Sequence, residues 1–232
     1  MTKSKPDYNL WHASHTSDDD TNTPWHNFLK EKLNQVKLNN ATILEIGCGR
    51  GGFSNYLASS YPGLEKVVAS DFSNEGLRIA SAKYGNFDGL IEWKQEDIMS
   101  QSFDNNTFDL AISCETIEHI PNPQKAINEL HRVLKPGGIL LLTCPNYFNL
   151  FGIWCLYRKL IGKPFTEGGQ PYVNYVQMPL IYFYIKDAGF QVLEWKSSEF
   201  IVPARVPKHY WNDRLPNAIS ALGHRTFYML KK

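Results

Sequence analysis

The hydrophobic pattern of the chain alternates between short apolar runs and helix-like segments from residue 41 onwards. Apolar and β-branched runs predict strands over 41–47, 65–71, 90–95, 108–114 and 138–144. The stretches between them predict helices over 52–60, 74–84 and 123–134. Each crossover is long enough for a parallel connection, and residues 139–142 (ILLL) are typical of a strand buried on both faces. The alternation predicts an α/β fold with a doubly wound, mostly parallel sheet.

Outside this region the regular alternation of strand and helix patterns ends. Residues 1–23 are rich in Ser, Thr, Asp and Asn, and the acidic run at residues 18–20 predicts a solvated loop. Pro24 opens a helical pattern to about Val36. Residues 147–163 form an aromatic-rich helical stretch with a basic end. The remaining pattern predicts a loop at 164–179, a helix at 180–188 and strands at 190–199 and 226–231. We therefore divide the chain into an N-terminal segment and helix (1–40), a core (41–146), an insertion (147–179) and a C-terminal part of the same sheet (180–232).

Composition narrows the class of protein. A chain of 232 residues, 43% hydrophobic and 20% charged, suits one large α/β domain. The formal net charge of +1 gives no electrostatic reason to expect a nucleic-acid partner. Four cysteines without a CxxC pair or zinc spacing favour free thiols in a reducing compartment. With a polar N-terminus and no run of 18 apolar residues, the sequence predicts a cytoplasmic protein.

The stretch ILEIGCGRGG at residues 43–52 carries the most specific motif. A strand that turns into a helix through glycines lets a ligand lie directly against backbone N–H groups, because no Cβ intervenes. Gly47, Gly49 and Gly52 fit the dinucleotide pattern G-x-G-x-x-G. Glu45, Gly47, Gly49 and Gly51 fit the E/D-x-G-x-G-x-G pattern of S-adenosylmethionine enzymes. The glycines alone leave both cofactors open.

The ends of the other strands carry acids, and ligands of a doubly wound sheet bind at these ends. The second strand ends at Asp71, whose carboxylate can accept both ribose hydroxyls of a nucleoside. Asp71 is also a candidate helix N-cap, although Ser73 and Asn74 are better placed for that role. The third strand ends in QEDI at residues 95–98 and the fourth ends in Cys114-Glu115.

With these elements in view, the sequence resembles the class I S-adenosylmethionine-dependent methyltransferases over roughly residues 41–146, and more loosely to the C-terminus. The resemblance rests on ILEIGCGRG, VVASD, QEDI, FDLAISCETIEHI and LHRVLKPGGILLLTCPN, in that order. It implies a seven-stranded sheet of Rossmann-like type whose last strand is antiparallel. It also implies S-adenosylmethionine as the cofactor of the core, and an acceptor-side position or lid role for the insertion at 147–179.

The resemblance implies a role for each strand end. The methionine end of the cofactor would be held by Glu45, Gly47, Cys48, Gly49 and Gly51, the ribose by Asp71, and the adenine by Phe72, Asp97 and Ile98, with Cys114 near the methionine. The plainer alternatives are a loop acid for Asp97 and small apolar packing residues for the two cysteines.

The cluster Glu115-Thr116-Ile117-Glu118-His119 follows the fourth strand and is the candidate for acceptor chemistry. A hydroxyl acceptor must lose its proton to a base or through a metal. The E-x-x-E-H pattern is similar to that of the ubiquinone-pathway O-methyltransferases, where it is associated with a divalent metal. Three interpretations stay open: His119 and Glu115 as catalytic groups, a metal held by Glu115, Glu118 and His119, or a structural loop before Pro121.

The sequence thus predicts a methyltransferase for a small-molecule acceptor, with O-methylation as the expected reaction. A nicotinamide-dependent oxidoreductase and a non-catalytic S-adenosylmethionine-binding module are the alternatives. The aromatics of 147–163 are suited to line an acceptor pocket, to rest on a lipid surface or to pack onto the domain. A second polar and aromatic group has unknown reach and comprises Arg205, Lys208, His209, Tyr210, Trp211 and Arg214. The acceptor and the oligomeric state stay open.

Overall fold

One seven-stranded sheet runs through the chain. The structure is a computed structural model and describes residues 7–14, 21–198 and 221–232. The strands are β1 (Thr42–Ile46), β2 (Lys66–Asp71), β3 (Ile91–Gln95), β4 (Phe108–Cys114), β5 (Leu134–Pro145), β6 (Gln191–Ser198) and β7 (Arg225–Lys231). The helices are α1 (Tyr8–Ser14), α2 (Pro24–Leu33), α3 (Gly52–Ser60), α4 (Asn74–Tyr84), α5 (Pro123–Val133), α6 (Leu150–Leu160) and α7 (Met178–Asp187).

The strand order is β3-β2-β1-β4-β5-β7-β6. All neighbouring pairs among the first five strands, β1 to β5, are parallel, whereas β7 is antiparallel to both β5 and β6. From β1 the sheet extends through β2 to β3 on one side, and from β4 it extends through β5 on the other side. The connections therefore diverge between β1 and β4, which leaves a crevice at the carboxyl ends of these two strands. The predicted doubly wound α/β fold with an antiparallel last strand is confirmed.

Successive side chains of β5 pack into two hydrophobic cores, one on each face of the sheet. Leu140, Leu141 and Leu142 are all fully buried, and successive side chains of a strand point to opposite faces. Leu140 and Leu142 pack in the core that includes residues of α5 and α7. Leu141 packs on the other face with residues of α2 and α3. Helices therefore cover both faces of the sheet and hold the strand ends in fixed positions.

The helix and strand boundaries follow local signals. The Ser73 hydroxyl accepts from the Gly76 N–H at 3.1 Å and caps α4, so the cap is the one that the sequence favoured over Asp71. β5 begins at Leu134, earlier than predicted. The pairing with β4 shifts between Phe108 and Leu110, so residues 135–138 bulge out of a strand that has already begun.

Residues Tyr8–Ser14 form α1, a helix that the sequence pattern did not predict. The Asp7 carboxylate accepts from the Leu10 N–H at 3.0 Å, which is a helix-capping arrangement. Among the helices and strands that the structure describes, α4 is the main neighbour of α1. The acidic run at 18–20 and the polar and aromatic group at 205–214 lie outside the described residues.

The stretch 147–163 is helical over Leu150–Leu160 and turns Gly152 and Cys155 inward. The Asn149 side chain caps this helix by accepting from the Gly152 N–H at 3.0 Å. Within the described residues, no helix is long and apolar enough to cross a membrane.

Candidate active site

A cavity of about 380 Å³ lies at the carboxyl ends of β1, β2 and β4. Most of the site residues predicted from the sequence line it: Glu45, Gly47, Cys48, Gly49, Asp71, Phe72, Asp97, Ile98, Cys114, Glu115 and His119. Gly51 and Glu118 are the two predicted residues that do not line it. The crevice that the strand order creates is therefore also the place where the predicted chemistry converges.

The glycine loop between β1 and α3 needs its glycines for two physical reasons. Gly47 and Gly51 have φ angles of 80° and 78°, in the left-handed region that side chains disfavour. A Cβ on Gly47 would lie 2.3 Å from the Thr116 hydroxyl oxygen, and one on Gly51 would lie 2.4 Å from the Trp93 ring. Any side chain at these positions would push apart the walls of the loop.

Four N–H groups of this loop, those of Gly47, Cys48, Gly49 and Gly51, already have acceptors. Gly47 and Cys48 donate to the Ser70 carbonyl at 2.8 and 3.0 Å. Gly49 donates to the Asp71 carboxylate at 2.9 Å, and Gly51 donates to the Cys48 carbonyl. A dinucleotide pyrophosphate would meet occupied donors beside two acidic side chains, whereas a cationic ligand would meet acceptors. The loop therefore fits a sulfonium cofactor better than a nicotinamide dinucleotide.

Two buried carboxylates stand behind the loop in different settings. The Asp71 carboxylate accepts from Gly49 and, at 2.8 Å, from the Ser73 N–H, and its oxygens still have acceptor capacity for a ligand. Glu45 is only 4% exposed and accepts from the Ser54 hydroxyl. Burial raises the pKa of Glu45 to about 7, since little else compensates for the lost hydration of its charge. Glu45 is therefore poised to ionise when a cation arrives.

The predicted adenine side combines an open aromatic with a structured turn. Phe72 is 37% exposed and lines the cavity, where it can contact a planar ligand. The Asp97 carboxylate accepts from the Met99 N–H at 2.9 Å, so part of its capacity holds the turn after β3. Ile98 is buried directly beside it. These three residues lie together as the sequence predicted, and their roles toward adenine stay a prediction.

The two cysteines of the site are inert thiols. Burial raises the pKa of Cys114 to about 12 and raises that of Cys48 well above its ordinary value. The Thr143 hydroxyl donates to the Cys114 sulfur at 3.5 Å. Both side chains shape the cavity wall, and neither has the low pKa of a nucleophile.

His119 ends the short 3₁₀ helix Ile117–His119 after β4. Its Nδ1 lies 2.8 Å from the Tyr172 carbonyl oxygen. Because a carbonyl can only accept, this contact assigns the proton to Nδ1 and leaves Nε2 as the acceptor. Burial lowers the pKa of His119 below its ordinary value, so the ring is neutral at pH 7. A neutral, oriented imidazole at a cavity wall has the properties of a general base.

Glu118 lies beside His119, whereas Glu115 is engaged elsewhere, so the three side chains do not form one cluster. The Glu115 carboxylate forms an ion pair with Arg225 of β7, whose guanidinium lies 4.1 Å from the centre of the Trp25 ring. Glu118 is 1% exposed, and its Oε1 lies 3.5 Å from His119 Nε2. No group of three or more His, Cys, Asp or Glu among the described residues is arranged to hold a metal ion. The predicted metal site at Glu115, Glu118 and His119 is therefore corrected: a cation of the protein neutralises Glu115.

Sequence reasoning missed the contribution of the N-terminal helices to the cavity. Tyr8, Trp11 and His12 of α1 line it, as do Trp25 and His26 of α2. The His12 carbonyl accepts from the Arg50 guanidinium of the glycine loop. The Tyr8 ring lies edge-on to His119 with ring centres 6.3 Å apart. The capping Asp7 and the aromatic residues in an otherwise polar segment were the available signal.

Comparison with known proteins agrees with this site. Residues 44–142 match a family model described as a methyltransferase domain. The demethylmenaquinone methyltransferase of Staphylococcus epidermidis is 29% identical over 155 residues, which are 64% of this chain and 63% of that protein. A protein of Oryza sativa subsp. japonica named "Probable tocopherol O-methyltransferase, chloroplastic" is 31% identical over 131 residues, 56% of this chain and 33% of that protein. The chain thus spans less than two thirds of the length of these relatives.

A solved structure shows the same fold. The S-adenosylmethionine-dependent methyltransferase from Aquifex aeolicus superposes with a TM-score of 0.63 at 18% identity, covering 96% of this chain and 97% of that one. The fold and the site agree with these similarities: residues 44–142 match a methyltransferase domain, and the sheet has the same fold as that solved methyltransferase.

Proposed function

We propose that the chain transfers a methyl group from S-adenosylmethionine to an oxygen atom of a small-molecule acceptor. The observation that carries the proposal is one cavity that joins the glycine loop and its acids to His119. The cofactor supplies an electrophilic methyl group on a sulfonium, and its leaving group is a neutral thioether. The protein is therefore required to exclude water and align the acceptor rather than to stabilise a large new charge.

The chain's residues fit the cofactor by charge and by shape. Glu45 and the loop from Gly47 to Gly51 would hold the methionine end, where a buried carboxylate complements the ammonium group. Asp71 would accept from the ribose hydroxyls with the capacity that its backbone contacts leave. Phe72, Asp97 and Ile98 would enclose the adenine, because all three line the same end of the cavity wall after β2 and β3.

His119 would take the proton from the acceptor hydroxyl. Its Nδ1–H donates to the Tyr172 carbonyl, so Nε2 is the atom that receives the proton. The carboxylate of Glu118, 3.5 Å from Nε2, would stabilise the imidazolium that forms. Glu115, held by Arg225, would act as an acceptor for a second polar group of the substrate, since it lines the cavity and has one oxygen without a described hydrogen-bond partner.

A phenolic acceptor fits this arrangement best. The cavity is lined by Trp11, Trp25 and Phe53, which favour a planar apolar body. A phenol has a pKa near that of tyrosine, about 10, within reach of a neutral imidazole in an in-line displacement. The names of two relatives, a demethylmenaquinone methyltransferase and a tocopherol O-methyltransferase, support an aromatic acceptor.

The test is an acceptor screen with methyl-labelled S-adenosylmethionine that includes phenols, hydroquinones, sugars and lipids. We expect label in a phenolic product, at oxygen by mass spectrometry of the fragment ions. His119→Ala should lower turnover about 10²–10⁴-fold with cofactor affinity unchanged. His131→Ala, a histidine of α5 that does not line the cavity, is the matched control. Label at carbon or nitrogen, or full activity of His119→Ala, would contradict the proposal.

The same screen separates an enzyme from a non-catalytic binding module. A module would bind S-adenosylhomocysteine and transfer no label to any acceptor. Activity that resists EDTA would agree with a base mechanism, whereas loss to EDTA and recovery with magnesium or zinc would return the metal hypothesis.

A further inference from the structure

Helix α6 presents its large apolar side chains outward. Gly152 and Cys155 are the buried residues of the helix, whereas Ile153 is 65% and Leu160 is 78% exposed. We call the following exposed side chains the α6 apolar surface: Leu150, Ile153, Trp154, Leu156, Tyr157 and Leu160. Contiguous exposed apolar surface of this kind marks an interaction site.

Helix α6 packs against the domain through a narrow strip of its surface. A Cβ on Gly152 would lie 1.7 Å from the Tyr147 carbonyl oxygen, so the backbone packs there without room for a side chain. Cys155 is fully buried in the core beneath α6. With one edge anchored in this way, most of the circumference of the helix is left for another surface.

The charge of α6 and its flanking residues indicates what kind of partner surface the helix would contact. Residues 143–166 contain Arg158, Lys159 and Lys163 and no Asp or Glu, a net charge of +3 beside the apolar side chains. The Arg158 guanidinium lies 5.4 Å from the centre of the Trp154 ring. A helix with apolar and aromatic side chains on one face and basic residues at its border suits the interface of an anionic bilayer.

We propose that the α6 apolar surface docks onto an anionic lipid bilayer, with the helix lying in the plane of the interface. Trp154 and Tyr157 would lie at headgroup level, and the basic end would contact anionic headgroups. A second copy of the chain is the weaker occupant, because a two-fold contact would bring two clusters of like charge together. An anionic surface neutralises the same cluster.

The chain that follows α6 connects this surface to the cavity. The Tyr172 carbonyl accepts from His119 and, at 3.3 Å, from the Tyr8 hydroxyl, and Gln170 lines the cavity. If the proposed function holds, a docked α6 would let an apolar acceptor pass from the bilayer to the site; the docking itself does not depend on that function.

Vesicle co-sedimentation without cofactor or acceptor tests the docking alone. We expect the protein to sediment with vesicles of phosphatidylcholine and phosphatidylglycerol, and much less with phosphatidylcholine alone. Leu160→Glu should weaken binding at least about tenfold, because it places a charge in the apolar contact. Leu193→Glu is the matched control: Leu193 is also exposed, on β6, and its variant should bind like the wild type.

Removing charge tests the electrostatic part separately. Lys159→Gln with Lys163→Gln should weaken binding about fivefold per charge, the equivalent of about 1 kcal/mol each. The pair Lys37→Gln with Lys125→Gln removes the same charge from exposed sites elsewhere and should change little. Light scattering gives the mass of each variant in solution.

Three results would overturn the docking proposal. The first is failure of the wild type to sediment with anionic vesicles, and the second is binding by Leu160→Glu that equals that of Leu193→Glu. The third is a dimer in solution that Leu160→Glu dissociates, which would assign the surface to a second copy. None of these results bears on methyl transfer, because neither cofactor nor acceptor is present in the assay.

Discussion

At the scale of residues, the two buried acids of the site differ in the groups that replace their lost hydration. Asp71 accepts two backbone N–H groups, which replace much of its lost hydration. Glu45 accepts from the Ser54 hydroxyl, and burial raises its pKa to about 7. Glu45 therefore gains its charge near neutral pH.

Asp71→Asn should weaken binding of S-adenosylhomocysteine about ten- to a hundredfold. The amide keeps one acceptor oxygen but loses the charge that strengthens the bonds to the ribose hydroxyls, each worth about 1.5–3 kcal/mol. Titration calorimetry measures the change. Asp109→Asn is the control, because Asp109 also accepts from a backbone N–H, that of Thr42 at 2.9 Å, and does not line the cavity. Equal affinities for the two variants would place the ribose elsewhere.

The affinity for S-adenosylhomocysteine should fall as the pH drops below about 7. The raised pKa means that Glu45 is protonated in the empty site below this pH, and a bound ammonium group requires its carboxylate, so binding releases a proton. Calorimetry in buffers of different ionisation enthalpy counts that proton. Glu45→Gln should bind more weakly and lose this pH dependence.

The same pKa has a consequence for stability. Because the folded pKa of Glu45 lies above the unfolded one, its contribution to the free energy of unfolding is lost as the pH rises from about 4.5 through 7. Glu45→Gln without ligand should therefore gain Tm relative to the wild type at pH 8 and not at pH 5. The same Tm difference between Glu45→Gln and the wild type at pH 5 and at pH 8 would contradict the raised pKa.

At the scale of elements, α1 closes one side of the cavity through contacts with other elements. The Asn9 side-chain oxygen accepts from the Ser73 hydroxyl at 2.9 Å and from the Glu75 N–H at 3.2 Å, which ties α1 to the start of α4. The His12 carbonyl ties the same helix to Arg50 of the glycine loop. A helix of 7 residues has little stability of its own, so these contacts position it.

Asn9→Ala should increase the dissociation rate of S-adenosylhomocysteine about fivefold, because two hydrogen bonds that hold α1 over the cavity are lost, at about 1 kcal/mol net. Stopped-flow displacement measures the rate. Ser14→Ala is the control: its hydroxyl donates to the Trp11 carbonyl at 3.1 Å within the same helix. If both variants release the ligand like the wild type, α1 does not close the site.

Much of this architecture is predictable from the sequence, because each strand and helix from 41 to 144 carries a local signal. The carboxyl ends of parallel strands meet at one edge, so Glu45, Asp71 and Asp97 could be expected to converge. The pairing of Glu115 with Arg225 joins residues 110 positions apart and leaves no local pattern. Helix α1 was missed because its few apolar residues make no period, and its capping Asp7 stood in a polar segment.

At the scale of the molecule, the sheet brings its parts to one edge and leaves α6 on another surface. The reversal of strand order between β1 and β4 makes the crevice, and β7 delivers Arg225 to it. Membrane docking and O-methylation stay proposals, as does the cytoplasmic location predicted from the sequence.

The most direct test of the account is calorimetric titration of the protein with S-adenosylhomocysteine and, separately, with NAD. The occupied N–H groups and the acids of the glycine loop predict saturable binding of S-adenosylhomocysteine at one site per chain, and no binding of NAD. Tight binding of NAD with none of S-adenosylhomocysteine would contradict the assignment of the cavity and the proposed methyl transfer with it.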